Sequence, residues 1–250
     1  MRPDEPLGSP TTPSRADGAP DLSRLAPNEV HLWIASLEPV SAESSRRMAV
    51  TTVAERQRAA LFHRRQDAEH YLIAHGALRL VLAGYLTCDP MAIRFGVREN
   101  GKPFLDGGTL EFNLSHSGSL ALIAVARGRR VGVDVEQLRP IVDLESLAAR
   151  ICSPEELAML AGRAQTQRER AFFTLWTRKE ALAKATGEGI GGVFRDASAP
   201  LPGAWTVTDL DDLPGYAACV AAEGVALRLV RCSLEDLPTS EWLDGGRDLA

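Results

Sequence analysis

Residues 131–136 read Val-Gly-Val-Asp-Val-Glu, a run that buries well only as a β-strand. Side chains on a strand alternate between faces, so Val131, Val133 and Val135 share one surface while Asp134 and Glu136 share the other. The valine face needs an apolar layer to pack on. The other face brings two carboxylates to one spot, which is unfavourable unless a cation neutralises them; a hard, all-oxygen pair suits Mg²⁺ better than zinc. Taken alone, the pattern also fits an edge strand with a solvated acidic face.

A second run dictates a helix. Thr166 to Thr186 contains neither proline nor glycine, and Phe172, Leu175, Trp176, Leu182 and Ala183 recur at three- and four-residue steps before Gly187 supplies a stop. Glu180 and Lys184 project from one face of this helix beside Trp176; by themselves they also fit an ordinary surface ion pair. Upstream, Ser153-Pro154-Glu155-Glu156 is a helix start, with serine as cap, proline in the first turn and glutamate three residues after the serine.

Between these landmarks the chain repeats one order of elements. A strand is predicted over Val30–Leu37, helical sequence from Ser41 to about Leu86 with a break near His63–Asp67, and strands over Met91–Val97, Glu111–Leu114 and Leu120–Ala126. Glu99-Asn100-Gly101 marks a tight turn before Lys102-Pro103. The second half opens with the acidic strand, continues through the long helix, and ends in strands at Trp205–Thr208, Tyr216–Ala222 and Val225–Cys232. Strand, helices, strands thus occurs twice, as an internal duplication with an N-terminal α+β half at 28–127 and a C-terminal α+β half at 128–238. Residues 1–27, rich in Pro, Ser, Thr, Asp and Gly, read as a disordered leader, and 239–250 as a tail.

Composition narrows the classes. The 250 residues carry a formal charge of −5, which argues against binding nucleic acid through phosphate neutralisation. No stretch approaches the roughly 20 apolar residues of a membrane span, and no signal peptide is evident, so a cytoplasmic protein is expected. Cys88, Cys152, Cys219 and Cys232 have no metal-binding spacing and read as reduced structural thiols. His70 and His75, five apart on one helix, point to different faces and suggest no metal. The glycines of 187–192 follow a helix instead of joining a strand to a helix N-terminus, so they lack phosphate-cradling geometry.

A third run, Asn113-Leu114-Ser115-His116-Ser117, and Gly101-Lys102-Pro103 complete a pattern. With Gly132-Val133-Asp134-Val135-Glu136 and Trp176-Thr177-Arg178-Lys179-Glu180-Ala181-Leu182-Ala183-Lys184 in this order and spacing, the chain from about Val30 to Cys232 resembles the Sfp-type 4′-phosphopantetheinyl transferases. The resemblance implies an α+β pseudodimer of two similar α/β halves with the active site in the cleft between them. It implies transfer of the phosphopantetheine arm of coenzyme A to a serine of an apo acyl or peptidyl carrier protein, with Mg²⁺ (or Mn²⁺ in its place), and favours polyketide and nonribosomal peptide synthases as the systems served.

Carried onto this sequence, the resemblance makes Asp134, Glu136 and Glu180 the metal ligands. Glu180, Lys184 and His116 become the catalytic set, with Glu180, Glu136 or a water as base. Lys102, Pro103, Asn113, Ser115, His116 and Lys184 become coenzyme contacts. Among the basic residues around Phe62, Arg58 and then Arg65 best match the 3′-phosphate site, and Glu55 stands where a second basic residue can occur. A monomer without nucleic-acid or membrane partners is expected. The alternative is a noncatalytic coenzyme A or carrier-binding module of the same fold; a hydrolase of another family would need the phosphate loop that is missing.

Overall fold

The first strand, β1 (Glu29–Ser36), is the centre of the N-terminal half. In the computed structural model, which describes residues 22, 25–39, 41–188 and 203–237, β1 pairs antiparallel with β5 (Leu120–Arg127), which pairs antiparallel with β4 (Leu110–Ser117). Between β1 and β4 lie helices α1 (Ala42–Ala49), α2 (Val53–Ala59) and α3 (Arg65–Leu86), then a short hairpin of β2 (Phe95–Val97) and β3 (Pro103–Leu105). The C-terminal half comprises β6 (Val131–Gln137), helices α4 (Leu144–Ile151), α5 (Pro154–Ala161) and α6 (Gln165–Thr186), and strands β7 (Trp205–Asp209), β8 (Tyr216–Glu223) and β9 (Arg228–Ser233). Strands β6, β8 and β7 form an antiparallel sheet in that order.

Two sheets stack face to face, each with a 22-residue helix on its outer surface. Val131, Val133 and Val135 all enter the layer between the sheets, against Val30, Leu32, Leu122 and Ala124, as the alternation predicts. On the far side of the first sheet, α3 buries Ile73, Ala77 and Val81 with Trp33, Phe112 and Ile123. On the far side of the second, Ala181 and Ala185 of α6 pack on Cys219 and Ala221 of β8. This is the two-part α+β architecture expected of the pseudodimer.

Several local expectations need correction. The helical stretch breaks twice, because Thr52 forms a capping box with Glu55 and starts α2 afresh after α1. Met91–Val97 is a strand only from Phe95; Asp89 caps a 3-10 turn over Pro90–Ala92, where Pro90 supplies a first-turn φ and lacks the N–H a ladder needs. The strand predicted to end at Leu114 continues through the Ser-His segment. That segment is the C-terminal end of β4, and the chain turns at Gly118, whose φ is +56°.

The last strand crosses over, with β9 pairing parallel with β1 at the edge of the N-terminal sheet. Leu22 and Leu25, within the segment read as a leader, are buried in the first core because α3 and β1 leave an apolar surface there. Residues 1–21, 23 and 24 of the leader, the tail at 239–250, and Gly189, Gly191 and Gly192 lie outside the described residues. The four cysteines form no disulfide, and among the described residues no helix is long and apolar enough to cross a membrane.

Candidate active site

Strands β4 and β6 belong to different sheets, yet side chains stitch them together. Asn113, Ser115 and Ser117 share one face of β4, and all three reach β6. Asn113 Oδ1 accepts from Val133 N at 2.8 Å, Ser115 Oγ donates to Asp134 Oδ1 at 2.9 Å, and Ser117 Oγ donates to Glu136 Oε2 at 2.9 Å while accepting from Gln137 N at 3.1 Å. Polar residues in a strand thus serve an edge that has no backbone partner on that side.

The opposite wall is α6. It comes close because residue 132 is glycine: a Cβ there would lie 2.1 Å from Ala181 O and 2.5 Å from Ala185 N. Lys184 consequently reaches across to β6. Its Nζ bonds Asp134 Oδ1 at 2.6 Å, Ser115 Oγ at 3.0 Å and Val133 O at 3.3 Å, so all three ammonium protons are engaged. A groove of about 290 Å³ opens beside this contact, lined by Asn100, Gly101, Lys102, Pro103 and Asn113 from the N-terminal half and by Glu180, Ala183, Lys184 and Gly187 from α6.

Negative charge accumulates here. Burial pushes the Asp134 carboxyl up, against the pull of Lys184 and Ser115. Glu180 is raised as well, first by burial and then by the neighbouring charges of Asp134 and Glu136. Asp134 Oδ2 is buried and, among the described residues, has no hydrogen-bond partner. Among the described residues, no three His, Cys, Asp or Glu side chains close on one point as a finished metal cage; Glu136 is held by Ser117 and lies 3.6 Å from Arg139.

The remaining predicted residues divide. Lys102 enters the groove, and its Nζ donates to Val131 O at 2.9 Å; burial lowers its pKa to about 8. His116 points the other way from Ser115, toward α3. It is exposed and outside the groove lining, but the surrounding protein and the charges of His75, His70 and Lys184 push its pKa down to about 4, leaving a neutral ring at pH 7. His70 and His75, which the helix spacing sends to different faces, both act on this one imidazole. Arg58 on α2 and Arg65 at the start of α3 are exposed and do not line the groove; Arg65 is paired with Glu69 at 2.7 Å. Glu55 has a structural occupation. Burial opposes its charge, but bonds from His75, Arg79 and Thr52 overcome that and hold its carboxyl well below the usual range.

The polar seam, the groove shared by two halves and the lysine–carboxylate pair can be set beside known proteins. HetI, a 4′-phosphopantetheinyl transferase of Nostoc sp., is 38% identical over 223 residues, spanning 83% of this chain and 91% of the relative. The chain belongs to the 4′-phosphopantetheinyl transferase family. The sequence model described as the 4′-phosphopantetheinyl transferase superfamily matches residues 130–225, and that of the 4′-phosphopantetheinyl transferase N-terminal region matches 35–128. The 4′-phosphopantetheinyl transferase Sfp of Bacillus subtilis is 31% identical over 154 residues, 61% of this chain and 67% of the relative. The transferase AcpT of Salmonella typhimurium is 37% identical over 123 residues, 48% of this chain and 64% of the relative. In this 4′-phosphopantetheinyl transferase the two family regions meet at the seam between β4 and β6, where the groove lies.

Sequence reasoning missed Asn100 and the side-chain bonds of Asn113 and Ser117. Their signal was present as polar residues two apart in β4, a spacing that directs them to one neighbour.

Proposed function

We propose that the protein transfers the 4′-phosphopantetheine arm of coenzyme A to a serine hydroxyl of an apo acyl or peptidyl carrier protein, serving polyketide or nonribosomal peptide synthases. The observation that carries this reading is the meeting of Asp134 with Lys184 beside Glu180, in a groove whose other wall supplies Lys102. In the reaction the serine oxygen bonds to the β-phosphorus, the bond from the β-phosphorus to the bridging oxygen breaks, and 3′,5′-ADP leaves with that oxygen on its α-phosphate while the serine gives up one proton.

Burial raises the pKa of both Asp134 and Glu180, and Asp134 carries a buried oxygen with no hydrogen-bond partner among the described residues, a donor chemistry that suits a divalent cation. Asp134, Glu136 and Glu180 would hold it. When bound, Mg²⁺ would offset the charge of the diphosphate and of the departing phosphate. The serine proton would go to Glu180, to Glu136 or to a water; a carboxylate that also holds the ion is less basic than a free one, so the two duties compete. Lys184 supplies a compact positive charge for the leaving phosphate, releasing one of its three protein acceptors to do so. Asn113 and Ser115 hold β6 and Lys184 in place for this. His116, Arg58 and Arg65, which lie outside the groove lining, would contact the 3′-phosphate of the coenzyme. Both groove walls come from one chain, which supports a working monomer.

Incubation with coenzyme A, Mg²⁺ and apo carriers from fatty acid, polyketide and nonribosomal peptide systems is expected to add one phosphopantetheine to the carrier serine, read by intact mass. Coenzyme binding without a mass gain on any carrier would instead identify the noncatalytic module.

Lys102 gives a pH signature. Burial disfavours its charged form, so the ammonium is present below about pH 8 and lost above it. Coenzyme A affinity measured by calorimetry is expected to be about tenfold weaker at pH 9.5 than at pH 7, the scale of one charge-assisted hydrogen bond. Lys102→Arg should flatten that slope, because arginine stays charged. Equal slopes in the two proteins would remove Lys102 from the binding site.

A further inference from the structure

Asn100 lies in the turn between β2 and β3 and uses both ends of its carboxamide. Its Oδ1 accepts from Lys102 N at 3.0 Å, which fixes the backbone of the residue that enters the groove. Its Nδ2 donates to Gly187 O at 2.6 Å, a contact spanning 87 residues and joining the two halves. The turn itself is closed by Gly101 N to Arg98 O at 2.8 Å and Arg98 N to Lys102 O at 2.9 Å, with Gly101 at φ +84°.

The contact point on α6 is specific. Gly187 ends the helix in the left-handed region, at φ +81°, and donates to Ala183 O at 2.8 Å, so its carbonyl is displaced from the helical ladder and free to accept from outside. A Cβ at Gly187 would lie 2.3 Å from Asn100 Nδ2, so the close approach requires glycine on grounds of space as well as backbone. With Lys102 Nζ on Val131 O, the hairpin is fastened to the C-terminal half at two points on either side of the groove.

We propose that Asn100 is a positioning residue for the transferase reaction: a clasp that locks the Lys102 turn to the C-terminal end of α6 and so sets the width of the groove that takes the nucleotide portion of coenzyme A. This rests on the function proposed above. Asn100 touches neither the reacting phosphorus nor the carboxylates. It acts by holding Lys102 and α6 at a fixed separation, so its loss weakens donor binding and leaves the chemical step intact.

Asn100→Asp separates the two bonds, because a carboxylate still accepts from Lys102 N but cannot donate to Gly187 O. In this full-length variant the KM and the calorimetric Kd for coenzyme A are expected to rise about five- to tenfold, the equivalent of one lost hydrogen bond, with kcat at saturating coenzyme within about twofold of wild type. Asn100→Ala, which breaks both bonds, should raise them further.

Amide hydrogen exchange without coenzyme provides a reading independent of activity. In Asn100→Asp, exchange should accelerate in residues 183–188 as well as in 98–105. Acceleration confined to 98–105, or absent from both, overturns the clasp. An unchanged KM despite loosening of both segments, or a kcat loss matching the KM gain together with a lower melting temperature, overturns the positioning role. Should the wild-type protein neither bind coenzyme A nor load a carrier, the proposed function fails, and the exchange measurement still decides whether the clasp exists.

Discussion

Asp134→Ala is expected to lower kcat/KM for carrier loading by at least about 10³-fold, equivalent to about 4 kcal/mol of transition-state stabilisation. The carboxylate is buried, carries an oxygen without a hydrogen-bond partner among the described residues, and sits against the lysine and glutamate of α6. Its burial raises its pKa, so the fold gains little from its charge, and Lys184 keeps Ser115 Oγ and Val133 O when it is gone. Thermal melting followed by circular dichroism should therefore stay close to wild type. Asp134→Asn decides the cause. Asparagine retains an oxygen for Ser115 and Lys184 but lacks the charge that a divalent ion requires, so its loss should match that of alanine. Near-wild-type loading by the asparagine variant would reduce Asp134 to a hydrogen-bonding strut and remove the metal from the proposal.

Much of this site is legible because its residues obey local periods. The two-residue period of 131–136 sends the valines into the inter-sheet core and the carboxylates toward α6, and the four-residue spacing of Glu180 and Lys184 puts both on the groove. Ser153 and Glu156 form their capping box as expected. What escapes is everything that depends on a neighbour distant in sequence. Asn, Ser and His are poor strand formers, so 113–117 resembles a loop until β6 is present to receive their side chains. The parallel pairing of β9 with β1 leaves no trace in either segment, since its register is set by the packed sheets. His70 and His75 both bear on the charge of His116 only because β4 turns that ring toward α3, and Asn100 finds Gly187 only once the hairpin stands against α6.

Gly132→Ala tests whether that packing, and not the residue inventory alone, makes the site. The added methyl would meet the backbone of α6 at 2.1 Å, well inside contact distance, and a backbone carbonyl cannot rotate away as a side-chain tip can. Either α6 shifts outward or β6 bends. Both movements separate Lys184 and Glu180 from Asp134 while every one of these residues remains. Overpacking of this kind costs about 1–3 kcal/mol of stability, measurable by urea denaturation, and leaves a folded enzyme to assay. A displacement of about 1 Å in a positioned group costs about 10²-fold in rate, so kcat/KM is expected to fall about 100-fold. Gly108→Ala is the control, since its Cβ would find only Leu110 N, at an ordinary 3.7 Å. Full activity in Gly132→Ala would mean that the helix tolerates a wider gap, and the separation of β6 from α6 would then have no part in assembling the site.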